Sequence, residues 1–437
     1  LLTLNACERQ GGWSDGVLKK QIAAAGLDSR DAGLATQLCF GVIQNRILLD
    51  FYLSKFSNIP LRRLEGKVLQ ALRLGLYQML FLTRIPHSAA VDQSVALTRA
   101  HCKNPRAPGM VNAILRNLER SLDRLPTIPE DDPAEYYATL YSHPVWLVRE
   151  LLETLGSEGT AAFLQADNSQ PPITAMVNTV KTDLEGALEA LQAEGVHGEP
   201  HPWLKNCLVL SRSGSLEELD AFQNGLFYVQ DPASRLAVMA LDPEPGSRVL
   251  DMCAAPGGKS FAAAIQMKDQ GEIWSCDLHP HKKTLIQKGA QRLGLTCIRP
   301  QTADGKVRRP EWEGTFDRVL VDAPCSGLGV IRKKPDIRFK DPEPLSGLPQ
   351  VQSAILDNAA GYVKPGGVLV YSTCTILERE NRAVTDAFLA AHPEFSRERF
   401  LLPGPAGEVS EGQITLWPQV HGTDGFYICK LRKDGEA

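Results

Sequence analysis

The chain contains 437 residues, of which 43% are hydrophobic and 22% are charged. This ordinary globular composition excludes a disordered or collagen-like chain, and the length suggests about three domains. The 47 basic and 51 acidic side chains give a formal net charge of −4. Any surface that binds nucleic acid must therefore be a local patch rather than a property of the whole molecule.

The ten cysteines are scattered along the sequence, and no two of them form a C-x-x-C pair. This spacing indicates neither a zinc site nor a thioredoxin-like redox pair, so we expect no bound metal. No apolar run approaches the ~18 residues that a membrane span requires, and no signal peptide is apparent. The sequence therefore predicts a cytoplasmic, reduced protein without a membrane partner.

Residues 1–140 are predicted to form an all-α domain. An apolar residue occurs at every fourth position of one segment, which indicates a single buried helical stripe. The residues of this stripe are Leu64, Val68, Leu72, Leu76 and Leu80. Prolines and acidic residues at 126–133 then interrupt the helical pattern, which indicates a domain boundary.

Residues 143–232 are predicted to form a small α+β domain, because short apolar runs alternate with amphipathic ones. The predicted helices are 146–155, 160–166 and 184–194, and the predicted strands are 173–178, 207–210 and 226–229.

From residue 233 to residue 437, apolar strands alternate with helices. This order predicts a doubly wound α/β domain with a parallel sheet and helices on both faces. A closing hairpin that forms an antiparallel edge of the sheet is expected at 413–417 and 425–431. The five predicted parallel strands are 249–252, 272–276, 296–301, 318–321 and 368–372, the last after a turn at 364–367.

A loop of small residues, Asp251-Met-Cys-Ala-Ala-Pro-Gly-Gly-Lys-Ser260, follows the first of these strands. Loops at this position bind ligands in doubly wound folds. Its end resembles a P-loop, which would suggest a nucleotide hydrolase, but Cys253 stands where that motif needs glycine. The loop also departs from G-x-G-x-x-G. S-adenosylmethionine fits better, with Asp277 binding its ribose and Asp304 its adenine at the ends of the next two strands.

Two cysteines follow the fourth and fifth strands, in Asp322-Ala-Pro-Cys325 and Ser372-Thr-Cys374. If these strands are neighbours, ~4.8 Å apart, both thiols face one pocket. A thiolate that adds to C6 of a pyrimidine makes C5 nucleophilic enough to accept a methyl group. Asp322 is the candidate for holding N3 and the amino group of a cytosine, which must leave any base stack. The local sequence does not decide which thiol attacks.

Three motifs, at 251–259, 322–327 and 371–375, resemble the RNA cytosine-C5 methyltransferases of the Nol/Nop/Sun group. The helical region, with Ala-Pro-Gly-Met-Val-Asn-Ala-Ile-Leu-Arg at 107–116, is similar to the NusB-like domain of the RsmB (Sun, Fmu) branch. The resemblance implies a NusB-like RNA-binding domain at 1–140, a ferredoxin-like domain at 143–232 and a Rossmann-like methyltransferase domain at 233–437.

The resemblance also implies a 16S rRNA (cytosine-C5)-methyltransferase that uses S-adenosylmethionine and acts on free rRNA or an early assembly intermediate. It implies that Cys374 is the nucleophile, that Cys325 assists product release, and that Asp322 and Lys259 lie in the active site. Met176 replaces an arginine that is frequent in the family, which puts one RNA contact in doubt. The implied cofactor-binding residues are Cys253, Ala254, Ala255, Pro256, Gly257, Gly258, Lys259, Asp277, Asp304 and Asp322.

Two alternatives remain besides the nucleotide hydrolase. The same chemistry on another RNA, such as tRNA or 23S rRNA, is disfavoured only by the helical domain, and a non-enzymatic NusB-like RNA-binding factor leaves the paired cysteines unexplained.

A basic stretch after Cys325 is interpreted either as a solvated loop or as part of an RNA surface. Its residues are Arg332, Lys333, Lys334, Arg338 and Lys340.

Overall fold

The computed structural model describes residues 1–10, 14–211 and 214–435. They form two compact units. The first contains Leu1–Ser169 together with Ile331–Lys340, and the second contains Gln170–Val330 and the chain from Asp341 onwards. Within the described ranges, no helix is both long and apolar enough to cross a membrane.

The first unit is helical, as the sequence predicts for residues 1–140. In α5, Val68, Leu72 and Leu76 are buried and form the centre of the core, whereas Leu64 precedes the helix. The described helices are α1 (Leu2–Gln10), α2 (Ser14–Ala25), α3 (Ser29–Gln44), α4 (Arg46–Phe56), α5 (Gly66–Phe81), α6 (His87–His101), α7 (Ala107–Glu119), α8 (Pro133–Leu140) and α9 (Val145–Asp167).

The two helices predicted at 146–155 and 160–166 are both present within α9. They are separated by a kink at Gly156, whose φ of 66° and ψ of −176° are not helical. Glycine adopts this left-handed conformation without steric cost, so the two helical segments meet at an angle without an intervening loop.

A ten-residue segment from the second half of the sequence, Ile331–Lys340, belongs to the first unit; we call it the strap. Its Arg338 side chain is fully buried. The guanidinium donates hydrogen bonds to the carbonyl oxygens of Gln44 (2.8 Å) and Ser142 (2.9 Å) and to Oδ1 of Asn168 (3.1 Å). Both interpretations of the basic stretch, the solvated loop and the RNA surface, are therefore wrong for Arg338, because its charged group is enclosed by protein acceptors.

The second unit begins with a four-stranded antiparallel sheet whose order, β2-β3-β1-β4, is that of a ferredoxin-like fold. The edge strand β2 is not predicted by the sequence, because its His-Gly-Glu-Pro stretch contains no apolar alternation. Met176 is buried in the core and cannot contact RNA. The elements are β1 (Ile173–Val177), α10 (Leu184–Ala193), β2 (His197–Pro200), β3 (Cys207–Ser211), α11 (Asp220–Gln223) and β4 (Phe227–Val229).

The rest of the second unit is a doubly wound domain, as predicted. Its elements are α12 (Pro232–Leu241), β5 (Arg248–Asp251), α13 (Gly258–Gln266), β6 (Glu272–Asp277), α14 (Pro280–Leu293), β7 (Ile298–Thr302), β8 (Phe316–Asp322), α15 (Leu348–Tyr362), β9 (Val363–Thr373), α16 (Arg382–Ala391), β10 (Phe395–Arg397), β11 (Phe400–Leu401), β12 (Glu408–Val409), β13 (Gln413–Leu416), α17 (Pro418–His421) and β14 (Phe426–Lys433).

The main sheet has the order β10-β14-β9-β8-β5-β6-β7, with β13 also paired to β14. Strands β9, β8, β5, β6 and β7 run parallel to one another, and β14 is antiparallel to β9. Helices α12, α13 and α14 cover one face, and α15 and α16 cover the other. The strand order reverses between β8 and β5, so this fold places its ligand crevice at the carboxyl ends of these strands.

Two expectations about strand limits need correction. The turn at 364–367 lies inside β9, where the register jumps from Phe316↔Val363 to Arg318↔Val368. The glycine-containing stretch is therefore an irregularity within a longer strand. The hairpin of β13 and β14 forms as predicted, but β14 is an interior strand, since β10 pairs with it as well.

Candidate active site

The two motif cysteines meet at the carboxyl ends of β8 and β9. These strands are parallel neighbours, and their register pairs Asp322 with Ser372. The loops that follow bring Sγ of Cys325 to 3.3 Å from Sγ of Cys374. Both residues are partly exposed. The structure therefore confirms the expected strand adjacency and brings the two thiols into direct contact.

The surroundings shift the pKa values of the two thiols in opposite directions. The hydrogen bond from Cys325 lowers the pKa of Cys374, and Lys259 acts in the same direction against the effects of burial and of Asp322. The pKa of Cys325 is raised by its hydrogen bond with Cys374, by burial and by the carboxyl group of Glu380. These effects favour a thiolate at Cys374 over one at Cys325.

Lys259 and Asp322 form an ion pair beside the thiols, with Nζ of Lys259 2.6 Å from Oδ2 of Asp322. Ser372 donates a hydrogen bond to the other oxygen of Asp322 (2.9 Å), and Lys259 also donates to Oγ of Ser234 (3.3 Å). Burial opposes the charged form of Lys259, but Asp322 outweighs it and the pKa of the lysine is raised. The lysine is thus a fixed cation at the site, 5.0 Å from the centre of the Phe426 ring.

The small-residue loop connects β5 to α13 with a backbone that requires glycine. Gly257 has a φ of +114°, and a Cβ there would lie 2.4 Å from the Phe261 ring. The amide of Ala254 donates to the carbonyl of Cys276 on β6 (2.7 Å), and the amide of Gly257 donates to the carbonyl of Ala254 (2.7 Å). A compact turn of this kind, with few side-chain atoms, lets a ligand approach the backbone.

A buried polar chain supports this loop. Asp251 accepts a hydrogen bond from Oγ of Ser260 (2.7 Å), which in turn accepts one from Oγ of Ser275 (2.7 Å). The second carboxylate oxygen of Asp251 is buried and has no protein partner among the described residues. Burial raises the pKa of Asp251 to about 7.

The two predicted carboxyl groups for ribose and adenine lie at the ends of neighbouring strands. Asp277 ends β6 and is 7% exposed; it accepts from the amide of His279 (3.1 Å) and lies 3.5 Å from Nζ of Lys282. Asp304 lies just beyond β7 and accepts from the amide of Lys306 (2.9 Å). Because the amide of Ala303 donates to the carbonyl of Asp277 (3.0 Å), the two acidic positions lie side by side.

Further contacts hold the two cysteine loops together. The amide of Gly329 donates to the carbonyl of Cys374 (2.9 Å), and the amide of Gly425 donates to the carbonyl of Gly329 (2.8 Å). Ser326 and Thr375 share a hydrogen bond between their hydroxyl groups (2.7 Å). The loop that carries Cys325 is thus fixed against the loop that carries Cys374.

Sequence reasoning missed three side chains of this region: Ser234, Asp251 as a titrating group, and the buried Glu380. Ser234 lies within Gln230-Asp-Pro-Ala-Ser234, a stretch that resembles the family, so a signal was available. Asp251 and Glu380 are recognised only from burial and partners, which depend on the folded arrangement.

Comparisons with known proteins agree with this architecture. Residues 238–432 match the family described as 16S rRNA methyltransferase RsmB/F, residues 2–120 match the NusB family, and residues 143–217 match the RsmF/B-like ferredoxin-like domain. The crystal structure of PH0851 aligns with a TM-score of 0.80 and 27% identity, covering 99% of this chain and 97% of that one.

Two curated relatives extend the similarity over the full length. The probable ribosomal RNA small subunit methyltransferase B of Bacillus subtilis is 40% identical, covering 98% of this chain and 96% of the relative. The ribosomal RNA small subunit methyltransferase B of Klebsiella pneumoniae is 34% identical, with 93% and 91% covered. The chain therefore belongs to the ribosomal RNA small subunit methyltransferase B family and is an RNA methyltransferase.

Proposed function

We propose that this protein is an S-adenosylmethionine-dependent 16S rRNA (cytosine-C5)-methyltransferase of the cytoplasm. The observation that carries the proposal is the pair of thiols 3.3 Å apart, with the pKa of Cys374 lowered and that of Cys325 raised. Methylation at carbon 5 of a pyrimidine requires a nucleophile at C6, and a thiolate is suited to that addition. The choice of 16S rRNA rests on the names of the relatives.

In the first step, the Cys374 thiolate adds to C6 of the cytosine, and the electron pair of the C5–C6 double bond becomes available at C5. Asp322, held by Lys259 and Ser372, faces the amino group and N3 of the flipped base. C5 then bonds to the methyl group as the bond between that methyl group and the sulfonium sulfur breaks, which would leave a neutral thioether. Addition therefore precedes methyl transfer, because unmodified C5 is a weak nucleophile.

In the second step, a general base takes the proton from C5, the double bond re-forms, and the C6–Sγ bond breaks, which returns its electron pair to the Cys374 sulfur. Cys325 lies in contact with the departing sulfur and assists this elimination. An enzyme that lacks Cys325 is therefore expected to form the covalent intermediate and to release it slowly.

The cofactor supplies an electrophilic methyl group on sulfur when it is bound. The residues present fit it, since the Gly257 backbone leaves no room for a side chain and Asp251 beneath the loop has an unpartnered buried oxygen. The loop residues Cys253 to Lys259 would hold the methionine part and Asp322 would lie at the methyl end. Asp277 would hold the ribose and Asp304 the adenine.

The test is methyl transfer from labelled S-adenosylmethionine to unmodified 16S rRNA, 23S rRNA and tRNA. Wild type, Cys374→Ala and Cys325→Ala are compared, with a denaturing gel that detects protein–RNA adducts. We expect label in 16S rRNA with wild type, no transfer with Cys374→Ala, and a stable adduct with Cys325→Ala.

An adduct with Cys374→Ala instead would reverse the assigned roles of the two cysteines. Label only in 23S rRNA or tRNA would contradict the proposed substrate, and label at an atom other than C5, located by nuclease digestion and mass spectrometry, would contradict the proposed chemistry. Cys102→Ala, which changes a half-buried cysteine of the first unit, is the matched control and should retain full transfer.

A further inference from the structure

A buried carboxyl group lies directly behind the Cys325 loop. Glu380 is 0% exposed and ends a short 3₁₀ turn six residues after Cys374. Its Oε2 accepts hydrogen bonds from the amide of Ser326 (2.9 Å) and from Nε2 of Gln352 (2.9 Å). Its Oε1 is buried and has no protein partner among the described residues.

The surroundings of Glu380 fix it to both cysteine loops. The Gln352 amide that contacts Glu380 also donates to the carbonyl of Pro324 (3.0 Å), so the residues on either side of Cys325 are both held. The hydroxyl of Tyr371, on β9, donates to the backbone carbonyl of Glu380 (2.6 Å). The carboxyl group therefore occupies a fixed place relative to Cys325.

An acidic side chain in this position requires an explanation, because burying a carboxyl group is costly unless its oxygens are satisfied. The carbonyl oxygen of a glutamine could accept the same hydrogen bonds from Ser326 and Gln352, with a neutral amide group in place of the unpartnered oxygen. The difference that a carboxylate makes is its charge, which opposes a second negative charge on the adjacent Cys325.

We propose that Glu380 is a positioning residue that assigns different roles to the two thiols, because its charge keeps the shared proton on Cys325 and leaves the negative charge on Cys374. The inference builds on the proposed function, in which Cys374 attacks and Cys325 assists release. It explains how two identical side chains in contact acquire distinct reactivity, since the carboxyl group is hydrogen-bonded to the amide of Ser326, the residue that follows Cys325.

The other charged or titratable groups around the pair do not supply this asymmetry in the same way. Lys259, Asp322 and Asp424 act on Cys374, with Lys259 favouring the thiolate and the two aspartates opposing it. Tyr371 lies near Cys325, but burial raises the pKa of its phenol well above the usual range, so it stays neutral. Glu380 is thus the carboxyl group that acts against a thiolate at Cys325.

The test measures which thiol reacts, without RNA or cofactor, so it is independent of the proposed methyl transfer. The full-length protein is treated briefly with iodoacetamide between pH 6 and 9, and the label on each cysteine is quantified by peptide mass spectrometry. Wild type should be labelled at Cys374 in preference to Cys325. Glu380→Gln keeps the size and the acceptor but removes the charge. It should raise the fraction of label on Cys325 by roughly tenfold, the change that one pKa unit produces.

Two further variants separate charge from structure. Glu378→Gln changes an exposed carboxyl group in the same turn and should keep the wild-type distribution. Glu380→Asp keeps the charge but shortens the reach to Ser326, and label should remain on Cys374. Label on Cys429, which is 0% exposed, reports unfolding, and if Glu380→Gln unfolds, the comparison rests on Glu380→Asp. A wild-type distribution in folded Glu380→Gln, or a shift to Cys325 in Glu380→Asp, would overturn the proposal.

Discussion

At the scale of single residues, the site depends on ionisable groups whose protonation is controlled by burial and by their neighbours. Cys374 contacts Cys325, and Lys259 pairs with Asp322. The charge of Lys259 acts to lower the pKa of Cys374. Perturbed groups gathered at the carboxyl edge of a parallel sheet are characteristic of catalytic sites.

Replacing Lys259 by methionine should raise the pKa of Cys374, because the cation that favours its thiolate is lost. The pH at which Cys374 becomes reactive toward iodoacetamide should rise, and methyl transfer should fall by about 10²-fold or more. Lys364→Met is the matched control, since Lys364 pairs with Asp317 near the amino end of β8. An unchanged pH profile in Lys259→Met would contradict an electrostatic role for the lysine.

Asp251 should make the folded protein less stable as the pH rises. Burial raises its pKa to about 7, whereas the unfolded value is near 3.9. Between these values the folded state binds more protons than the unfolded state, so the free energy of unfolding falls by about 1.4 kcal/mol per pH unit. This contribution is complete below pH ~4 and is lost as the pH passes through ~7.

Asp251→Asn should remove this dependence. Urea unfolding at several pH values from 4.5 to 7.5 should show the stability of the variant rising relative to wild type by a few kcal/mol across the window. Asp341→Asn, at an exposed position, should follow the wild-type curve. Parallel curves for wild type and Asp251→Asn would exclude Asp251 as a titrating group.

At the scale of secondary-structure elements, the ends of parallel strands determine where the chemistry is located. The two thiols follow β8 and β9. The small-residue loop follows β5, and Asp277 and Asp304 lie at the ends of β6 and β7. The loops after β8 and β9 then need close backbone packing. A Cβ at Gly329 would lie 1.8 Å from the carbonyl oxygen of Gly425, so only glycine permits this approach.

Gly329→Ala should therefore separate the two cysteine loops. Since the obstructing atom belongs to the backbone, we expect a loss of about 2–3 kcal/mol of unfolding free energy together with strongly reduced methyl transfer. Thermal unfolding and the transfer assay measure the two effects. Gly347→Ala, which places a Cβ with no atom within 4 Å, should change neither. Wild-type stability in Gly329→Ala would mean that the loops tolerate a side chain there.

Most strands of the catalytic domain and the loops that follow them could be predicted from the sequence, because they depend on local residue patterns. Apolar strands that end in Asp277, Asp322 and Ser372 were recognisable from their composition. That the strands before Cys325 and Cys374 are neighbours was an assumption, which the structure confirms. The sequence did not reveal β2, because this strand contains a proline and a glycine. It did not reveal Glu380 either, because the hydrogen bond that Glu380 accepts comes from the amide of Ser326, 54 residues away in the sequence. Contacts between distant segments follow from packing, which no local pattern encodes.

At the scale of the whole molecule, the strap makes the first compact unit discontinuous in sequence. Its Arg338 satisfies two backbone carbonyl groups and one side-chain oxygen of the helical chain. Burial lowers the pKa of Arg338 to about 10, so the guanidinium remains charged at neutral pH and its acceptors are essential.

Arg338→Met should lower the free energy of unfolding by about 3 kcal/mol or more, because buried acceptors lose charged donors. Urea unfolding followed by circular dichroism measures the loss. Lys334→Met, at an exposed position of the same strap, should change stability by less than about 0.5 kcal/mol. Equal stability of the two variants would show that the Arg338 hydrogen bonds contribute nothing net.

The late position of the strap in the sequence also determines when the first unit can be completed during translation. The chain up to Ser169 leaves the ribosome first, but the segment that completes its unit follows about 160 residues later. At 5–20 residues per second, this interval is on the order of 10–30 seconds. During that time the carbonyl groups of Gln44 and Ser142 lack the Arg338 donor. The nascent helical region must therefore persist in an incomplete form, and its final stability is reached only after the first of the two cysteine loops, with Cys325, has been translated.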